Sequence, residues 1–195
     1  MKYPAFFDQI EHIILQDGLS ATLGSSENGI IDFSYLEIVK MAGHSCAVIS
    51  GAYLMTLKGL KALYGTDIPK RGEIKVELRE QLGDGNTGVF GQVYSNITGA
   101  TTNTGFGGLG GNFNRRNLLF YGVQMQGNVR FTRLDTGNSV EVSYQPALAV
   151  NPGEIMQSAF GPNATDESRK LFPKRWQEMV KTIFDHADEV VQIVK

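Results

Sequence analysis

A single cysteine, Cys46, is all the thiol chemistry in this chain of 195 residues. That scarcity excludes an intrachain disulfide, and it excludes any zinc finger or iron-sulfur cluster built from the chain's own thiolates. Tryptophan is represented by Trp176 alone, histidine by three residues and proline by six. An excess of either charge is also missing: 18 Lys and Arg stand against 20 Asp and Glu, a net charge of -2. Nonspecific attraction to nucleic acid or to an anionic membrane is therefore not expected. No apolar run is long enough to span a bilayer, and the opening Met1-Lys2-Tyr3-Pro4-Ala5-Phe6-Phe7-Asp8 reaches a charge before a signal-peptide core can form. The expected compartment is the cytoplasm, where a lone reduced thiol is at home.

What is present is 42% hydrophobic residues, enough for one core over residues 1–195. Phe6, Ile10, Ile13 and Ile14 predict a helix over residues 4–16, with solvated His12 on its other side. Asp32-Phe33-Ser34-Tyr35 opens a second, short helix with Leu36, Val39 and Lys40. Ile49, Tyr53, Leu57, Leu60 and Tyr64 then trace the apolar face of a third, which Ser45 caps and Gly65 stops. Alternation over Ile74, Val76 and Leu78 predicts a strand, and Leu118–Val123 another, whereas Val89–Ile97 fits strand and helix alike. Val129–Arg133 and Val140–Tyr144 flank Asp135-Thr136-Gly137-Asn138 as a hairpin. Pro173 reads as the first residue of a final helix reaching about residue 194, with a stripe from Trp176 through Met179, Val180, Ile183, Val190 and Val191. Helices grouped at both ends of a run of strands predict an α+β fold, a mostly antiparallel sheet packed with helices.

Two motifs imitate known chemistry. Gly105-Phe106-Gly107-Gly108-Leu109-Gly110 matches the dinucleotide pattern G-x-G-x-x-G, yet Asn112-Phe113-Asn114-Arg115-Arg116-Asn117 opens no apolar helix. Asp135-Thr136-Gly137 resembles an aspartic-protease triplet, but it occurs once and where a turn is expected.

The pattern richest in chemistry is Gly43-His44-Ser45-Cys46. Imidazole and thiolate are good ligands for a transition metal, and two residues spaced i, i+2 can face one ion where the backbone turns into a helix. Cys46 is expected in the first helical turn, where the helix dipole favours its thiolate. The plainer alternative makes Cys46 a small buried hydrophobe and His44 a hydrogen-bonded loop residue.

Over residues 33–122 the chain resembles the formylmethanofuran dehydrogenase E-subunit family. The resemblance runs through Ala42-Gly43-His44-Ser45-Cys46, Gly51-Ala52-Tyr53, Ile74-Lys75-Val76-Glu77, Thr98-Gly99-Ala100-Thr101 and the glycine-rich loop leading to Arg115-Arg116-Asn117-Leu118-Leu119. It departs where Ala42, Ala47 and Ala100 replace the family's histidine, proline and cysteine, and where the C-terminal zinc finger of some members is missing. The resemblance implies an α+β core, a homodimer and a metal pocket around the His-x-Cys motif, and Gly105–Gly111 is expected to line or cover that pocket. It does not imply the named oxidation, which depends on cofactors carried by other subunits.

The expected function is accordingly a metal-binding protein, accessory or sensor, with zinc as the favoured divalent ion on His44 and Cys46. Further ligands have to come from His186, Glu37, Asp17 or Asp84, from water or substrate, or from a second subunit. A metal-dependent or Cys46-dependent enzyme of unknown substrate is the alternative, and a structural component of a hetero-complex is a third.

Overall fold

The computed structural model describes residues 2–194. After a 3-10 turn over Ala5–Gln9 the chain enters β1 (Ile13–Asp17), where a helix over residues 4–16 was expected. Ile13, Leu15 and Asp17 face inward while Ile14 is 49% exposed, a period of two. The apolar spacing suits a helix, and pairing with β2 (Ile30–Phe33), Ile13 opposite Phe33 and Gln16 opposite Ile30, decides for a strand. Between them runs α1 (Gly18–Leu23), whose first amides, Leu19 and Ser20, donate to the Asp17 carboxylate.

The second helix is α2 (Tyr35–Ala42), opened by a capping box of Ser34 and Glu37 and closed by Gly43 at φ 79°. The third is α3 (Ala47–Tyr64), and its expected face of Ile49, Tyr53, Leu57, Leu60 and Tyr64 is buried. Ala52, Leu54 and Met55 are buried as well, so other elements cover α3 nearly all round. Glycines allow that closeness: a Cβ on Gly51 would lie 2.6 Å from Tyr144 Cζ, and one on Gly59 2.8 Å from Phe131 Cδ2.

Next, β3 (Lys70–Arg71) joins β1 in parallel, giving a three-stranded sheet in the order β2-β1-β3. The strand β4 (Ile74–Leu78) lies where alternation placed it, and the ambiguous segment is helical, α4 (Thr87–Thr98). Only Leu119–Phe120 of the expected 118–123 strand pairs, as β5. The hairpin of β6 (Val129–Arg133) and β7 (Ser139–Tyr144) forms as expected, with Asp135 held 2.8 Å from Arg133 in the turn.

The C-terminal expectation needs correction. After α5 (Pro152–Phe160), helix α6 (Asp166–Asp185) begins well before Pro173, under a capping box of Thr165 and Ser168. It stops at Asp185, α7 (Ala187–Val190) follows, and β8 (Val191–Val194) pairs antiparallel with β7. The five-stranded sheet therefore runs β5-β4-β6-β7-β8. Antiparallel pairings predominate, and α3 lies against the sheet face carrying Val129, Phe131 and Val142. The class is α+β, as expected. Met179, Val180 and Ile183 of the apolar stripe are spent on this same core. Among the described residues no helix is long and apolar enough to cross a membrane.

Candidate functional site

Ser45 anchors the candidate site. Its hydroxyl lies 2.9 Å from the hydroxyl of buried Tyr35, and its carbonyl accepts hydrogen bonds from Trp176 Nε1 at 3.1 Å and Gln177 Nε2 at 3.3 Å. Committed to Tyr35, that hydroxyl does not cap α3. The N-cap position belongs to Cys46, without a side-chain cap bond, and this corrects both the expected Ser45 cap and the placing of Cys46 inside the first turn. Clasped on three sides, Ser45 fixes the backbone from which its two neighbours project.

Those neighbours are differently placed. Cys46 is half-buried against the core, while His44 is exposed. His44 Nδ1 lies 3.1 Å from the Ala42 carbonyl, which can only accept. The proton of the neutral ring therefore resides on Nδ1, and Nε2 presents a lone pair outward. Burial pushes the Tyr35 phenol far above its ordinary value of 10.0, against a smaller downward pull from the Ser45 hydrogen bond. Burial raises Tyr144 in the same way, and its hydroxyl donates to the Ala47 carbonyl at 2.8 Å. Both phenols stay neutral near pH 7.

His44, Ser45 and Cys46 open onto a cleft of about 910 Å³. Two aromatic pairs line it: Phe172 and Trp176 of α6, with ring centroids 5.2 Å apart, and Phe90 of α4 with Tyr144 of β7, 6.4 Å apart. Ala47, Val48, Pro146, Pro152, Met156 and Pro173 add apolar surface. The remaining lining is polar but uncharged, Asn86 and Gln177, and the Oε1 atom of Gln177 is buried with no partner among the described residues. A second cleft of about 1000 Å³ includes Arg79 and Glu141 in its lining. Glu141 is already saturated there by Arg130 and by the amides of Gln126 and Gly127, which leaves its carboxylate no free valence for chemistry in that cleft.

The other proposed ligands are engaged elsewhere. His186 pairs with Glu189 at 3.0 Å, the Glu37 carboxylate accepts from Ser34 N at 2.8 Å, and Asp84 accepts from the Gln81 amide at 3.1 Å. Asp17 is buried, 2.9 Å from Arg71 Nη1 and 2.7 Å from Arg115 Nη2. Burial pushes its pKa up, and the Arg71 hydrogen bond, the charge of Arg115 and the Ser20 amide together bring it below 3.8. Among the described residues no group of three or more His, Cys, Asp and Glu converges.

The glycine-rich loop does not line this cleft, contrary to expectation. It is a surface turn closed on its own arginines: the Arg115 amide donates to the Phe106 carbonyl at 2.9 Å and Arg116 Nε to the Gly105 carbonyl at 2.7 Å. Arg115 then ties the loop to Asp17 and β1, away from α3.

Sequence reasoning missed Asn86, Phe90, Tyr144, Phe172 and Gln177 as site residues, because separated segments of the chain bring them together. One signal was available for Trp176. A lone, partly buried indole N–H needs an acceptor, and here that acceptor belongs to the motif itself. No family model, curated protein or solved structure matches this chain.

Proposed function

We propose that this is a metal-binding protein, accessory or sensor in role, holding one divalent transition ion, zinc by donor chemistry, between Cys46 Sγ and His44 Nε2. The observation that carries the reading is the Nδ1 contact of His44 with the Ala42 carbonyl, 3.1 Å, which orients the ring and leaves Nε2 free as metal-ligating histidines require. The clasp on Ser45 supports it by holding both donors on one short, fixed stretch of backbone. The family resemblance of the His-x-Cys motif supports it independently. Tested against the donors, the fit is partial: the chain offers two of the four positions of tetrahedral zinc, and the others fall to water, an occupant of the cleft or a second copy. A bound ion would act there as a Lewis acid with exchangeable positions.

Elemental analysis of the purified protein is expected to return stoichiometric zinc. Cys46→Ser and His44→Ala are each expected to lower zinc affinity roughly tenfold or more. Neither should move the unfolding midpoint appreciably, since His44 is exposed and Cys46 makes no cap bond. Full occupancy in both variants would move the centre elsewhere, and a wild type that takes up no zinc, nickel or cobalt would end the reading.

The homodimer implied by the resemblance belongs to the same proposal. With the α6 stripe used inside the chain, the exposed apolar residues on offer to a second copy include Leu148, Phe160 and Leu171, which are 58%, 63% and 45% exposed. Light scattering is expected to give a dimer mass at micromolar concentration and a monomer for Phe160→Asp. A monomeric wild type removes the idea.

A further inference from the structure

The cleft has a chemical character that the metal reading does not use. Among the described residues no Lys, Arg, Asp or Glu lines it, although such residues make up 19% of the chain. With no ion bound, a charged ligand entering it would lose hydration and meet no countercharge. Its walls are instead flat and apolar: Phe90, Tyr144, Phe172 and Trp176 in two ring pairs, joined by Val48 and Met156. Its size, about 910 Å³, lies within the range of roughly 300–1,000 Å³ in which proteins hold small organic molecules.

The polar complement is small. Gln177 spends its amide nitrogen on the Ser45 carbonyl, and the phenol of Tyr144 spends its proton on the Ala47 carbonyl. Asn86, at the N-cap of α4, makes no side-chain cap bond, so its amide remains a donor and acceptor at the cleft. His44 adds the Nε2 acceptor when no ion occupies it.

We propose that this cleft is the binding site for a small neutral aromatic molecule bearing one hydroxyl or carbonyl group. The rings of Phe172, Trp176, Phe90 and Tyr144 receive its ring by stacked and edge contacts. Asn86 or His44 takes up its single polar group, which would otherwise be buried unpaired. With no ion bound, the uncharged lining disfavours ligands that bring a phosphate or carboxylate into the cleft. This inference goes beyond the metal reading and stands without a bound ion.

The only tryptophan lines the cleft, so one indole N–H cross-peak in a ¹H–¹⁵N spectrum reports on it without assignment. Full-length protein, as purified and again after chelator treatment, is titrated with 2-naphthol and with 2-naphthyl phosphate, which share a ring system and differ in charge. Saturable movement of the Trp176 peak with 2-naphthol is expected in both preparations, and in the chelator-treated protein the phosphate is expected to bind at least about tenfold more weakly. Phe172→Ala should weaken 2-naphthol about tenfold through lost ring contact. Three results overturn the proposal: no response to 2-naphthol at millimolar concentration, equal affinity for the phosphate in the chelator-treated protein, or the same peak movement produced by protein concentration alone, which would mean that a second copy fills the cleft. A chain that takes up no zinc yet binds 2-naphthol loses the metal reading and keeps this one.

Discussion

Asp17→Ala is expected to destabilise the fold by about 3–5 kcal/mol, the cost of leaving a buried charge without its partner. Arg115 is 6% exposed and reaches Asp17 at 2.7 Å. Without the carboxylate its guanidinium stays in the interior, and the N-cap of α1 is lost together with it. Against a typical total of about 5–15 kcal/mol this is a large fraction, and urea unfolding will show it as a lower midpoint. Asp17→Asn should cost less, because an amide oxygen still accepts from Leu19 and Ser20. The pH dependence follows from the direction of the shift: the folded value lies below 3.8, so the unfolded chain binds the proton more readily. This contribution is complete above about pH 5 and disappears as the pH falls through the folded value. Wild type and Asp17→Asn should differ most in stability near neutrality and converge toward pH 3. A constant difference across that range would mean that folding leaves the Asp17 pKa unshifted, and a wild type that gains on Asp17→Asn as the pH falls would mean a neutral Asp17 in the fold.

Gly51→Ala is expected to cost about 2–3 kcal/mol, although alanine in a mid-helix position ordinarily gains about 1 kcal/mol over glycine. The new methyl group would sit 2.6 Å from Tyr144 Cζ. The ring cannot simply swing away, since its hydroxyl is bonded to the Ala47 carbonyl of the same helix and its edge meets Phe90. Moving it sacrifices that hydrogen bond, worth about 1 kcal/mol, and disturbs one wall of the cleft. Gly51→Val should be worse. In a Tyr144→Ala background the Gly51→Ala penalty should vanish and turn into a small gain, a coupling that a double-mutant cycle reads directly. An unchanged penalty would place the strain elsewhere.

Where local rules decide the structure, the chain is legible. The α3 face, its stop at Gly65, the capped start of α2, the β4 alternation and the β6–β7 turn all have signals within one element. Reading failed where a residue serves a distant partner. Asp17 looks like a solvated acid or a spare ligand until Arg71 and Arg115, 54 and 98 positions away, are brought to it. Ser45 is a sound helix cap by type, but Tyr35 has taken its hydroxyl. Val191–Val194 continues a helical stripe in pattern, yet the free edge of β7 recruits it as a strand. Pro173 suggests a beginning because proline favours the first turn. Here the start is set earlier, by a Thr165–Ser168 box that lacks the usual glutamate. For the candidate site, His44 and Cys46 were readable as an adjacent pair, whereas the aromatic cleft beside them has no local signature at all.

The clasp on Ser45 also has a consequence in time. Its donors, Trp176 and Gln177, follow it by 131 and 132 positions, so during synthesis the loop bearing His44 and Cys46 emerges long before the groups that hold it. A ribosome adding roughly 5–20 residues per second leaves that thiol and imidazole on an unsecured loop for on the order of ten seconds. The clasped form of the motif is therefore one of the last features the chain acquires, and a nascent chain arrested before α6 would carry the whole motif without Trp176 and Gln177 to hold it.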